Sequence, residues 1–147
     1  MRTYRLEKTG SLDGLQQHDE PKPIPGRHEV LVRVRATSLN FRDRILLTGQ
    51  SPFLQKPNVV PLSDAAGEIE AVGEEVSRFS VGDRVITTFF PKWLGGPRTP
   101  DPEALVRVVD AHSLHPMIDR VFSLDDAKAA FAYYFEGRTF GKIVIRH

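Results

Sequence analysis

Along residues 29–36 apolar and polar side chains alternate, with Val30, Val32 and Val34 on one side and Leu31, Arg33 and Arg35 on the other. That period of two predicts a half-buried strand with the arginines as its wet face. Residues 65–72 read similarly: Ile69 and Ala71 share one face, and Glu68, Glu70 and Val72 the other. Gly67 lies inside this run, where a missing side chain marks a bulge or a close backbone approach. Shorter strands are predicted at 3–7, 84–86, 117–122 and 141–146. Gly73 opens a charged turn, and Val81-Gly82-Asp83 forms a second.

A spacing of three to four replaces that of two at only a few places. In 38–50, Asn40 is a candidate N-cap, with Asp43 in the first turn where the helix dipole favours a carboxylate. Phe41, Ile45 and Leu46 can share a face before Gly49 ends the helix. Asp101-Pro102-Glu103 starts a second helix over 104–112. Ser123 and Asp126 resemble a capping box ahead of Ala127, Ala130, Phe131 and Tyr134, and Gly137 is the stop. The remainder predicts loops: a polar excursion over 10–19, a proline-rich connection over 20–26, an irregular loop over 52–61, and an aromatic, glycine- and proline-rich stretch over 87–100. The expectation is a mainly β domain with short helices.

Composition changes this picture little. The chain has 147 residues, 40% hydrophobic and 27% charged, which suits one soluble domain with its own core. A formal net charge of +1 gives no reason to expect nucleic acid or an anionic membrane as partner. No apolar run approaches the ~20 residues of a membrane span. The first residues read as a strand, without a signal-peptide core. The absence of cysteine removes disulfides, a thiol nucleophile and thiolate metal sites. A cytoplasmic location is the expectation.

The string from Asp64 to Val85, D-A-A-G-E-I-E-A-V-G-E-E-V-S-R-F-S-V-G-D-R-V, resembles the signature of the medium-chain dehydrogenase/reductase superfamily, in its GroES-like catalytic domain. Pro116 to Ala130, followed by Gly141-Lys142-Ile143-Val144-Ile145, resembles the extreme C-terminus of the same superfamily. The resemblance therefore covers nearly the whole chain and implies a GroES-like, partly open β-barrel. It also implies an insertion of a nucleotide-binding Rossmann domain between the two parts. Gly95-Gly96 is the only glycine pair here, Pro97 follows it, and too few residues remain for even two βαβ units. The expected organisation is one domain of an N-terminal part, 1–98, and a C-terminal return, 102–147, joined where the cofactor domain would be inserted.

Zinc-dependent members place a cysteine just before the first helix and a histidine–glutamate pair just before the A-A-G turn. Asn40 and Ser63-Asp64 stand at those positions, and neither asparagine nor serine is a competent zinc ligand. His112 and His115 have no third ligand and read as surface histidines. No metal is expected, and the chain is similar to the zinc-independent, quinone-oxidoreductase-like branch. By that resemblance Asn40, Asp43, Ser63 and Asp64 are the candidate catalytic residues, and Asn40, Phe41 and Lys142 would approach the cofactor. Asn40 as a helix cap, Asp43 as a partner of the helix dipole and Lys142 as a solvated lysine are the plain alternatives. Phe53, Phe89, Phe90 and Trp93 could line a pocket for a flat substrate or simply pack onto the barrel.

Two functions follow. One is the substrate domain of an oxidoreductase acting on quinones, enones or aldehydes and alcohols with NADPH or NADH. It would be inactive alone and bind neither cofactor tightly, because pyrophosphate and adenosine contacts belong to the inserted domain. The other is a non-enzymatic or engineered GroES-like scaffold that self-associates through the apolar surface which the missing domain would cover.

Overall fold

The computed structural model describes residues 1–50, 58–88 and 115–147. Two β-sheets and two α-helices make up these parts. Strands β1 (Arg2–Leu6) and β2 (Leu15–Asp19) form an antiparallel hairpin closed by a single 3₁₀ turn at Leu12–Gly14. The larger sheet holds β3 (Val30–Ser38), β4 (Asp64–Val72), β5 (Arg84–Ile86), β6 (Ile118–Ser123) and β7 (Lys142–Arg146). Its order is β5-β4-β3-β7-β6, with only the β6–β7 pair parallel. Helix α1 (Phe41–Thr48) follows β3, and α2 (Ala127–Phe135) connects the parallel pair. The mainly β class is as expected, and no barrel closes among the described residues.

The alternating runs become the central strands. Arg33 and Arg35 are exposed on β3, and Arg35 Nη2 lies 2.8 Å from Glu68 on the neighbouring strand. Two register shifts, at Leu31/Val32 and Val34/Ala36, interrupt the pairing of β3 with β4. Gly67 stands opposite Val34 at the second shift, and a Cβ there would overlap the Arg33 carbonyl oxygen. The glycine is thus explained by close backbone approach at an irregular register.

The stretch over 10–19, expected as a polar excursion, instead contains β2. Leu15 is fully buried, but Gln16, Gln17, His18 and Asp19 give no apolar period to read. What holds that strand is residue-by-residue backbone pairing with β1, which side-chain patterning does not report. The expected helix over 104–112, the aromatics Phe53, Phe89, Phe90 and Trp93, and the Gly95-Gly96 pair with Pro97 lie outside the described residues.

The core sits where α2, α1 and β7 meet the hairpin. Phe131 and Ala130 of α2, Ile143 and Ile145 of β7, Leu47 of α1 and Leu6 and Leu15 of the hairpin are all buried in it. Each large apolar side chain so buried contributes about 1.5–3 kcal/mol before the entropy of ordering is subtracted. The C-terminal segment is integral to this core. Strand β7 pairs antiparallel with the end of β3, and the Leu39 amide donates to the Ile143 carbonyl at 3.0 Å.

Candidate functional site

The turn between β3 and α1 places the first candidate. Asn40 is in extended conformation (φ −131°, ψ 162°) and caps α1, whose end is set by Gly49 at φ 71°. Asp43, in the first turn, is only 1% exposed. Its Oδ2 accepts the Asn40 backbone N–H at 2.8 Å and its Oδ1 accepts the Leu62 N–H at 3.1 Å. Burial pushes the Asp43 carboxyl above its ordinary value, while those two amide donors resist the rise. This carboxylate ties the start of α1 to the segment entering β4.

Leu62 itself has φ 74°, a left-handed conformation unusual for a branched side chain and costing about 1–3 kcal/mol. The bond to Asp43 holds that conformation, and the chain then presents Ser63 and Asp64. Ser63 Oγ lies 3.3 Å from Asp64 Oδ1. Thr87, just after β5, clamps the same place: its hydroxyl donates to the Ser63 carbonyl at 2.8 Å and accepts the Ala65 N–H at 3.0 Å.

The Asn40 side chain bridges two other residues. Its Nδ2 donates to Asp64 Oδ2 at 2.7 Å, and its Oδ1 accepts from Lys142 Nζ at 2.6 Å. The order Lys142–Asn40–Asp64 fixes which end of the amide is oxygen, because ammonium only donates and carboxylate only accepts. The lysine and asparagine are 102 residues apart in sequence and meet because β7 pairs with β3. Phe41, the next residue in sequence, is 65% exposed.

Asn40, Asp43, Ser63, Asp64 and Lys142, all named by sequence, therefore form one connected hydrogen-bonded group, and the exposed Phe41 follows Asn40 in the chain. Sequence reading missed Leu62 and Thr87. No local signal marks a leucine for positive φ, and a threonine immediately after a short strand looks like any loop residue.

The match over residues 26–111 is to the alcohol dehydrogenase GroES-like domain. It covers more than half of the chain. The chain belongs to this family. Among curated relatives it is 45% identical over 85 residues to a zinc-type alcohol dehydrogenase-like protein of Schizosaccharomyces pombe, covering 57% of this chain and 24% of that protein. It is 43% identical over 91 residues to the quinone oxidoreductase of Lama guanicoe, covering 60% of this chain and 27% of the relative. A solved structure, the Escherichia coli quinone oxidoreductase complexed with NADPH, aligns at 28% identity with a TM-score of 0.51, over 58% of this chain and 26% of the other. The chain thus spans about a quarter of the length of the relatives it matches. No described helix is long and apolar enough to cross a membrane.

Proposed function

We propose that this chain is the substrate domain of a zinc-independent, NAD(P)H-dependent oxidoreductase acting on quinones, enones or aldehydes and alcohols. The connected group of Lys142, Asn40 and Asp64 carries the reading, because it leaves hydrogen-bond donors on Asn40 and Lys142 that no described residue takes up. An asparagine amide has two N–H donors and an ammonium three. One of each is used within the group, so the remaining donors suit a carbonyl oxygen, either of a nicotinamide carboxamide or of a substrate. When bound, the nicotinamide supplies the hydride; the protein supplies orientation and electrostatics. Lys142 orients Asn40, and Asp43 fixes the backbone from which Asn40 projects.

Zinc does not suit the same place. Asn40 and Ser63 are poor ligands, and the Asp64 carboxylate is already engaged by Asn40 and Ser63. The relatives named quinone oxidoreductase support the redox class and the zinc-type relative does not oppose it, since the donors present decide what can bind.

The chain turns over nothing alone in this reading. Only 26 residues, 89–114, separate the two described parts on either side of the expected insertion, fewer than one βαβ unit requires. Exposed Met117, Ile118, Val121 and Phe140 would then form part of a surface for self-association. The test is a chimera carrying the nucleotide-binding domain of a quinone oxidoreductase inserted between Pro97 and Pro102. NADPH oxidation dependent on added quinone, reduced at least tenfold by Asn40→Leu, is the expected result. A folded chimera that binds NADPH but reduces no quinone, enone or aldehyde would overturn the assignment.

A further inference from the structure

Strand β6 is one edge of the five-stranded sheet, and no described residue pairs with its outer side. The Ile143 carbonyl of β7 turns to Leu39, just past the end of β3, so the next residue, Val144, turns to β6. Val144 stands opposite Val121, and a parallel ladder bonds it to the residues on either side, Arg120 and Phe122. Val121 therefore points its own N–H and C=O away from the sheet. Unpaired edge groups of this kind are a template for another strand. Lysine and proline, which commonly block such pairing, are absent from Ile118–Ser123. The register is irregular between Ile118 and Arg120 but regular from Arg120 to Ser123.

The side chains make this edge self-complementary. Ile118 stands opposite Lys142 and Val121 opposite Val144, two places further along β7, so both lie on one face of the sheet. Each is 51% exposed. Arg120 and Phe122 lie on the other face, against Tyr133 of α2: the guanidinium is 4.2 Å from the Tyr133 ring centroid and the Phe122 ring 6.0 Å. Two copies paired antiparallel about a two-fold axis set each residue opposite one on the same face. An axis at Asp119 or at Arg120 would oppose like charges. An axis at Phe122 would set each exposed valine against a serine. With the axis at Val121 the two valines meet and Arg120 lies opposite the partner's Phe122, so no like charges face each other.

We propose that β6 joins its counterpart in a second copy of this chain, antiparallel and centred on Val121, so that the two large sheets become one. The Val121 pair exchanges two backbone hydrogen bonds across the axis, and the exposed valine and isoleucine of each copy cover the seam. A net charge of +1 on each chain opposes this little. The inference gives the self-association proposed above one strand edge and one partner; it rests on the place of β6 in the sheet and not on the redox assignment.

The chain has no cysteine, so Val121→Cys supplies its only thiol. Cα atoms of a hydrogen-bonded antiparallel pair lie about 5.5 Å apart, within reach of a disulfide. Under a mild oxidant Val121→Cys should cross-link to a covalent dimer about tenfold faster, or more, than Ile86→Cys, a more exposed position on the opposite edge of the sheet. Sedimentation velocity of the parent chain should show the mass rising with concentration from 16.5 kDa towards twice that value. Hydrogen exchange of the Val121 amide should slow over the same range. Val121→Lys should raise the dimer dissociation constant about tenfold or more and leave the melting temperature of the dilute chain unchanged. A chain monomeric at millimolar concentration, equal cross-linking rates for the two cysteine variants, or a dimer undiminished by Val121→Lys would each overturn the proposal. None of these readings depends on cofactor or quinone, so a failed redox assignment leaves them unmoved.

Discussion

Replacing Asp43 with alanine tests the joint on which the whole polar group rests. The carboxylate is 1% exposed and accepts the N–H groups of Asn40 and Leu62 at 2.8 and 3.1 Å. Hydrogen bonds to a charged group are worth about 1.5–3 kcal/mol each, so the pair represents roughly 3–6 kcal/mol of gross interaction. Relief of the buried charge offsets part of this, because burial is the largest influence on the Asp43 carboxyl and raises it. The net expected loss is about 2–3 kcal/mol, including release of Leu62 from its positive φ. Urea unfolding followed by far-ultraviolet circular dichroism measures it. Linkage adds a sign. A carboxyl whose folded pKa is raised contributes stability that is full below its unfolded pKa of 3.8 and lost as pH rises through the folded value. The advantage of the parent over Asp43→Ala should therefore be larger at pH 4 than at pH 7. A loss under about 0.5 kcal/mol, or an advantage that shrinks on acidification, would refute the reasoning.

Three further outcomes follow from the same structure. Gly67→Ala should destabilise by about 1–3 kcal/mol, because the added methyl meets the Arg33 carbonyl oxygen, and thermal denaturation would show it. Phe131→Ala, at a side chain 1% exposed in the core, should cost about 3–5 kcal/mol in urea titration. Glu20 is bonded to Arg5 and Thr3 and its carboxyl is lowered to about 2, so its contribution is present above pH 4.5 and lost as pH falls towards 2. The parent and Glu20→Gln should thus differ more at pH 6 than at pH 2; the pair is only partly buried, and the difference will be small.

Much of the β framework was legible because β3 and β4 each present one wet face, which imprints a period of two on Arg33, Arg35, Glu68 and Glu70. Both described helices were legible from spacing and from their glycine stops, Gly49 and Gly137, each at positive φ. Strand β2 was not, since one leucine enters the core and backbone pairing does the rest. The site divides the same way. Residue types at Asn40, Asp43, Ser63 and Asp64 could be named from the string alone, but their connection could not. Lys142 reaches Asn40 only because β7 lies beside β3, a non-local pairing that no window of sequence contains. The plain readings of Asn40 as a cap and Asp43 as a helix-start acid also prove compatible with membership of the polar group. The backbone of Asn40 and the carboxylate of Asp43 meet at the helix start, and the Asn40 amide side chain remains available to Asp64 and Lys142.

Calorimetric titration of the purified chain with NADPH, repeated with NADH, tests most directly the claim that this is a substrate domain dependent on a nucleotide-binding partner. The account predicts no saturable heat up to millimolar cofactor, because in the proposed reading the pyrophosphate and adenosine contacts belong to a nucleotide-binding domain. Saturable binding at micromolar concentration would contradict it and place a complete nucleotide site within the 147 residues.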